Sequence, residues 1–324
     1  MNDPADVWFR QSTSSVEVWP IERVLQAKRE SGETISVVIP ARDEAATISV
    51  IVKRIMAELV DATGLVDEVI VMDSDSEDDT GRIARAAGAT VHRTDSVAPE
   101  LGSFPGKGEA LWKAQFVTEG TTLVFVDGDL TVWSPDFVVG LLGPLLTRGE
   151  TLLVKGFYRR LSGTDGSGPE DGGRVTELVA RPLINLWWPA LAAVVQPLAG
   201  EWAIRRSLLE TLRVPTGYGV ELAVLLDTYE GLGLDALAQV DLGSRGHQRQ
   251  SVRDLGLMAA ELMSVAYRRG AKLAGGPAAT PSPVLRQYDV ASGWIRRPVP
   301  SDERPPAISL PAYERHARRT VGSC

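Results

Sequence analysis

Short aliphatic runs recur through the first 130 residues, each giving way to polar residues. Residues 35–39, a β-branched run that stops at Pro40, read as a buried parallel strand. Residues 45–60 follow with helical spacing of Ile48, Ile51, Val52, Ile55 and Leu59. Residues 68–72 form a second strand ending in an acidic cluster at 73–79, then a helix at 80–87 and a short strand at 89–93. Gly106-Lys107-Gly108 opens a helix over 109–118, and a fourth strand at 122–126 runs directly into Asp127-Gly128-Asp129. Strands alternating with helices predict a parallel sheet with right-handed crossovers. Ligands of such sheets bind beyond the carboxyl ends of the strands. The polar residues at 42–44, 73–75 and 127–129 are therefore expected to share one crevice.

The pattern changes after residue 150. Residues 152–158 read as a strand and 162–173 as a flexible loop rich in Gly, Ser, Asp and Pro. Residues 175–195 are mostly helical, interrupted at Trp187-Trp188-Pro189. A strand at 236–242 leads to His247, and 252–269 form a helix. From residue 275 Pro and Arg rise, so the tail is expected to be extended or partly disordered. The domain expectation is a leader (1–33) with one short helix at 21–30, a catalytic domain (34–250) with halves at 34–130 and 131–250, and a C-terminal helix and tail (251–324).

Composition narrows the classes. With 324 residues, 44% hydrophobic and 23% charged, the chain can bury a substantial core. A net charge of −8 argues against nucleic-acid binding, which needs a basic face. One cysteine, Cys324, excludes an intrachain disulfide and a cysteine zinc site. The first 20 residues are polar, and no apolar stretch is long enough to span a bilayer, so a soluble, cytoplasmic protein with no membrane partner is expected.

Asp127-Gly128-Asp129 carries the most chemistry. Two carboxylates after a hydrophobic strand present hard oxygens to Mg²⁺ or Mn²⁺, and the glycine permits a tight turn. Such an ion can bridge the phosphates of a nucleotide sugar and stabilise the departing diphosphate. By spacing alone the motif is also a common turn. Lys107, between two glycines at a helix start, suits a phosphate or base, or is a solvated turn lysine. Gly172-Gly173-Arg174-Val175-Thr176 offers N–H groups, a guanidinium and a hydroxyl to an anion, or is a helix cap with an exposed arginine. Glu221, after Gly217-Tyr218-Gly219-Val220, either meets sugar hydroxyls or is a first-turn glutamate favoured by the helix dipole. His247, beside Arg245, Gly246 and Arg249, is either a metal ligand or a surface loop histidine. The acidic cluster lacks the spacing of a calcium loop.

These motifs together resemble a known family. Residues 35–44 (ISVVIPARDE) look like the opening strand of GT-A glycosyltransferases. Residues 106–111 (GKGEAL), 125–130 (FVDGDL), 173–182 (GRVTELVARP) and 217–221 (GYGVE) are similar to the retaining glucosyl-3-phosphoglycerate and mannosyl-3-phosphoglycerate synthases of actinobacteria. The resemblance covers about residues 34 to 260. It implies an α/β, Rossmann-like GT-A fold, with a mixed, mainly parallel sheet flanked by helices and a C-terminal helical extension. The implied reaction moves mannose or glucose from GDP-mannose, GDP-glucose or UDP-glucose to the 2-hydroxyl of 3-phosphoglycerate, using Mg²⁺ or Mn²⁺.

Residue by residue, the resemblance implies that Pro40, Ala41, Glu44, Ser74 and Lys107 hold base and ribose. Asp129 and His247 would bind the metal, with Asp127 and Gly128 beside the nucleotide sugar. Gly173, Arg174 and Thr176 would receive the acceptor. Leu198 (through its backbone), Tyr218 and Glu221 would line the sugar site. Asp129, Glu221 and Arg174 would then stand at the reaction centre. Two positions depart from the pattern. Arg249 stands where an Asn often helps hold the acceptor, and Arg42 stands where some relatives are apolar, near the base. A homodimer is expected. Two other readings compete. A sugar nucleotidyltransferase would want a Gly-rich signature after the first strand, which Pro40-Ala41-Arg42 lacks. A non-catalytic nucleotide-sugar binder would not need an anion site at Arg174.

Overall fold

The structure, a computed structural model, describes residues 3–162, 173–247, 251–273, 281–289 and 293–314. Its centre is an eight-stranded sheet. In chain order the strands are β1 (Thr13–Ser15), β2 (Ile35–Ala41), β3 (Glu68–Asp73), β4 (Thr90–Arg93), β5 (Thr122–Phe125), β6 (Leu153–Ser162), β7 (Trp202–Arg205) and, after a short β8 (Val214–Pro215) that pairs elsewhere, β9 (Leu237–His247). Their spatial order is β1-β9-β6-β7-β5-β2-β3-β4. β4, β3, β2 and β5 are mutually parallel, as are β6, β9 and β1. β7 lies between the two groups, antiparallel to β5 and to β6. Its beginning therefore lies at the edge where the other strands finish.

Helices cover both faces, and side chains alternate between two cores. Val38 of β2 enters one core while Val37 and Ile39 enter the other, and Leu123 and Phe125 of β5 oppose Val124. Burial on both faces is why these strands read as unbroken apolar runs. The helices expected from the 3.6-residue period are present, including Ile48–Ile55, Thr80–Ala86, Lys107–Ala114 and Val252–Leu273.

The structure departs from expectation in three places. The N-terminal segment does more than lead into the domain. β1 extends the sheet beside β9. The Trp8 indole donates to the carbonyls of Leu234 and Leu237, both at 3.1 Å. Trp19 packs so tightly on the helix Asp136–Thr147 that a Cβ at Gly143 would lie 2.2 Å from its ring. That helix is itself unannounced by periodicity, because Phe137 to Leu146 are buried all round and leave no polar face. The tail, in its described part, is folded rather than extended. β10 (Val284–Asp289) and β11 (Gly293–Pro298) form a hairpin, and β12 (Glu303–Arg304) pairs with β8. Arg304 makes a buried two-pronged pair with Glu109, at 2.7 and 2.5 Å. This clamps the tail to the helix that begins with Lys107. The expected loop at 162–173 falls almost wholly outside the described residues. No helix among the described residues is long and apolar enough to cross a membrane.

Candidate active site

A cavity of about 530 Å³ opens beyond the carboxyl ends of the strands. It gathers Pro40 and Ala41 from the end of β2, Glu44 from the turn that follows, Ser74 from just past β3, and Asp127, Gly128 and Asp129 from just past β5. Lys107, Gly173, Arg174, Thr176, Leu198, Tyr218 and Glu221 also line it, as does Arg42. The crevice inferred from strand ends is thus present and reaches the Arg174 helix start. Arg249 lies outside the described residues. His247 is the last residue of β9, two past Arg245, but its side chain also lies outside the description.

Local geometry explains how these turns are held. The Thr47 hydroxyl donates to the Gly128 carbonyl at 2.6 Å, joining the turn after β2 to the turn after β5. The Glu44 N–H donates to the Thr80 hydroxyl at 2.7 Å, and the Ser74 N–H to the Ala41 carbonyl at 2.9 Å. Gly106 has φ +129°, and a Cβ there would lie 2.4 Å from the Thr216 carbonyl. At Gly108 the corresponding distance to the Pro215 carbonyl is 1.8 Å. The two glycines thus seat this helix start directly on another backbone.

That seating aims Lys107 inward. Its ammonium bridges Asp127 at 2.6 Å and Glu221 at 2.7 Å, which removes the reading of a solvated turn lysine. Burial opposes its charge, but Asp127 and Glu221 outweigh burial and hold its pKa above the ordinary lysine value. Across the cavity Arg245 contacts Asp127 at 3.0 Å and Asp129 at 2.8 Å. It also reaches the Tyr158 hydroxyl at 2.7 Å and the buried Glu201 at 3.5 Å. Desolvation opposes the charge of the half-buried Asp127, yet Lys107 and Arg245 together keep its carboxyl well below the usual range. Burial pushes Glu201 the other way. The sequence pointed to neither Tyr158, Glu201 nor Arg245 as a site residue. Arg245 had one signal, its place two residues before His247 at the end of a strand.

The two aspartates are not equivalent. Both oxygens of Asp127 are engaged, whereas Asp129 meets Arg245 through one oxygen and its side chain is 37% exposed. Glu44 is pushed up to about 7, first by burial and then by Asp129 and Asp127, so this corner of the cavity favours a cation. Among the described residues no three His, Cys, Asp or Glu side chains converge on one point. Asp129 fits as one anchor for a divalent ion, whose remaining shell would come from ligand oxygens, water or residues beyond those described.

Residues 36–212 match the model of glycosyl transferase family 2. The chain is 46% identical over 270 residues to the glucosyl-3-phosphoglycerate synthase of Mycolicibacterium paratuberculosis, covering 82% of this chain and 80% of that one. It is 40% identical over 299 residues to the enzyme of the same name from Petrotoga mobilis, covering 91% and 92%. The crystal structure of the Mycobacterium tuberculosis enzyme with Mn²⁺, UDP-glucose and phosphoglyceric acid matches with a TM-score of 0.79 at 43% identity, over 90% of this chain and 95% of that one. The mixed, mainly parallel sheet with flanking helices is the GT-A arrangement that the resemblance implied.

Proposed function

The chain belongs to glycosyl transferase family 2 and is a hexosyltransferase, and on that premise we propose that it moves glucose from UDP-glucose to the 2-hydroxyl of 3-phosphoglycerate, with Mn²⁺ or Mg²⁺ and with retention at the anomeric carbon. The observation that carries this reading is one cavity running from the strand-end residues to Arg174, in a chain 43% identical to an enzyme crystallised with these ligands. Pro40, Ala41, Glu44 and Ser74 would hold the uridine. Asp129, with His247, would hold the metal, which would neutralise the leaving diphosphate. Gly173, Arg174 and Thr176 would bind the phosphate of the acceptor, with Arg249 beside them. The Leu198 backbone, Tyr218 and Glu221 would meet the sugar.

Charge placement favours attack on the face the diphosphate leaves. Asp127 is spanned by Lys107 and Arg245, and Glu221 is tied to Lys107, so each is better placed to orient than to act as a nucleophile. The bond from the anomeric carbon to the phosphate oxygen breaks as the bond to the acceptor hydroxyl forms. The acceptor proton passes to the departing phosphate. Turnover of 3-phosphoglycerate against a panel of UDP- and GDP-linked glucose and mannose tests the reading. UDP-glucose should be the best donor, and chelation of the metal should stop the reaction. Full activity after thorough chelation would remove the metal role, and a preference for a mannose donor would overturn the glucose assignment.

A further inference from the structure

Two lysines are buried among the described residues, and they are held differently. Lys113 donates to the Thr94 carbonyl at 2.9 Å and has Glu109 at 3.7 Å. Lys155, near the start of β6, donates to the Ala199 carbonyl at 2.7 Å and stands 5.7 Å from the centre of the Trp202 ring. No carboxylate among the described residues lies within ion-pair distance of it. A buried ammonium without a paired carboxylate is costly. Burial accordingly pushes it down to about 8, in a field set by Glu221, Lys107, Glu201 and Asp127.

What Lys155 holds lies directly on the cavity. Ala199 sits between Leu198 and Gly200, and both of those line the wall. The segment from Gln196 to Glu201 is fastened to β6 at two further points. The Gln196 amide donates to the Tyr158 carbonyl at 2.6 Å, and the Gly156 N–H donates to the Glu201 carbonyl at 2.9 Å. Lys155 is the middle fastening and the only charged one. The wall has little slack, since a Cβ on Gly200 would lie 2.1 Å from Asp127 Oδ2.

We propose that Lys155 is a positioning residue for sugar transfer: its ammonium, through the Ala199 carbonyl, fixes the stretch 198–200 against which the sugar and acceptor hydroxyl meet, and it takes no part in holding the nucleotide. The inference rests on the transferase reading above. Lys155→Met and Lys155→Arg, assayed beside the wild type with UDP-glucose, Mn²⁺ and 3-phosphoglycerate, test it. A wall displaced by about an ångström can cost about 10²-fold in rate. Lys155→Met should therefore lower kcat by roughly that factor, while UDP affinity by calorimetry and the KM for UDP-glucose stay within about threefold. Lys155→Arg, which keeps charge and donor, should recover most of the loss. Should Lys155→Met fail to fold, Lys155→Gln should show the same split at about tenfold. A kcat within threefold of wild type, or a loss of UDP affinity as large as the loss of kcat, would overturn the assignment. Absence of product from the wild type would instead defeat the transferase reading itself.

Discussion

On the nucleotide side of the crevice, β2, β3 and β5 keep charged side chains out of their interiors, and the chemistry begins only past their ends, at Glu44, Ser74 and Asp129. On the acceptor side charge sits inside the strands, with Lys155 and Arg160 in β6 and Arg245 in β9, while Glu201 immediately precedes β7. Strand-end groups stay partly hydrated and can wait for a ligand. Groups within the sheet are held by partners on other segments, as Arg245 is by Asp127, Asp129 and Glu201 and Lys155 by the Ala199 carbonyl. One side presents residues, and the other presents a network.

The largest predicted effect breaks that network. Arg245→Met leaves three carboxylates without their shared cation, and removing one partner of a buried pair costs about 3–5 kcal/mol. Urea unfolding should show a loss of that order, and a loss below about 1 kcal/mol would make the network dispensable. Glu261 sharpens the contrast, since it lines the same side without a cation in ion-pair reach among the described residues. It accepts the Tyr218 N–H at 2.6 Å, and burial pushes it up from 4.5 to about 7. Its folded-state pKa lies above the unfolded value, so the folded protein holds this proton longer. Stability should therefore fall as pH rises from about 4.5 to about 7, by at most about 3.5 kcal/mol at ~1.4 kcal/mol per unit. Glu261→Gln should flatten that slope, leaving the share that Glu44 and Glu201 contribute, and an unchanged slope in chemical denaturation across this range would contradict the burial argument.

Arg174→Ala comes next. Losing a charged hydrogen bond of about 1.5–3 kcal/mol should raise the KM for 3-phosphoglycerate about 10- to 150-fold while UDP-glucose binding stays intact. An equal loss of donor binding would move Arg174 to the nucleotide side. The smallest effect is expected at Ser74→Ala. Its hydroxyl has the Thr94 hydroxyl at 3.2 Å, and one neutral hydrogen bond to the nucleotide is worth about 1 kcal/mol, or roughly fivefold in UDP affinity. A loss greater than about a hundredfold would make that side cooperative too.

The same contrast explains what the sequence disclosed. β2, β3 and β5 were legible because burial on both faces makes continuous β-branched runs, and the polar residues that stop them mark the crevice. Lys107 stood out by its flanking glycines, although the structure turns it onto Asp127 and Glu221. Glu201 and Lys155 were not legible, because a charge inside an apolar stretch means nothing until its partner is known, and the partners are 44 residues apart or more. The reversal of β7, which brings Glu201 to the working edge, is a fact of topology that four residues cannot announce. The helix Asp136–Thr147 was missed for the opposite reason, being apolar on every side. Trp8 and Trp19 anchor a segment too polar to show a period.

The central claim is that one cavity passes glucose from a nucleotide to a phosphorylated acceptor on the face the nucleotide leaves. The direct measurement is to identify the product formed from UDP-glucose, 3-phosphoglycerate and Mn²⁺ by nuclear magnetic resonance. The account predicts UDP and an α-glucoside at the 2-oxygen of 3-phosphoglycerate in equal amounts. A β-glucoside, free glucose alone, or glucose 1-phosphate exchanging with a nucleoside triphosphate would contradict it.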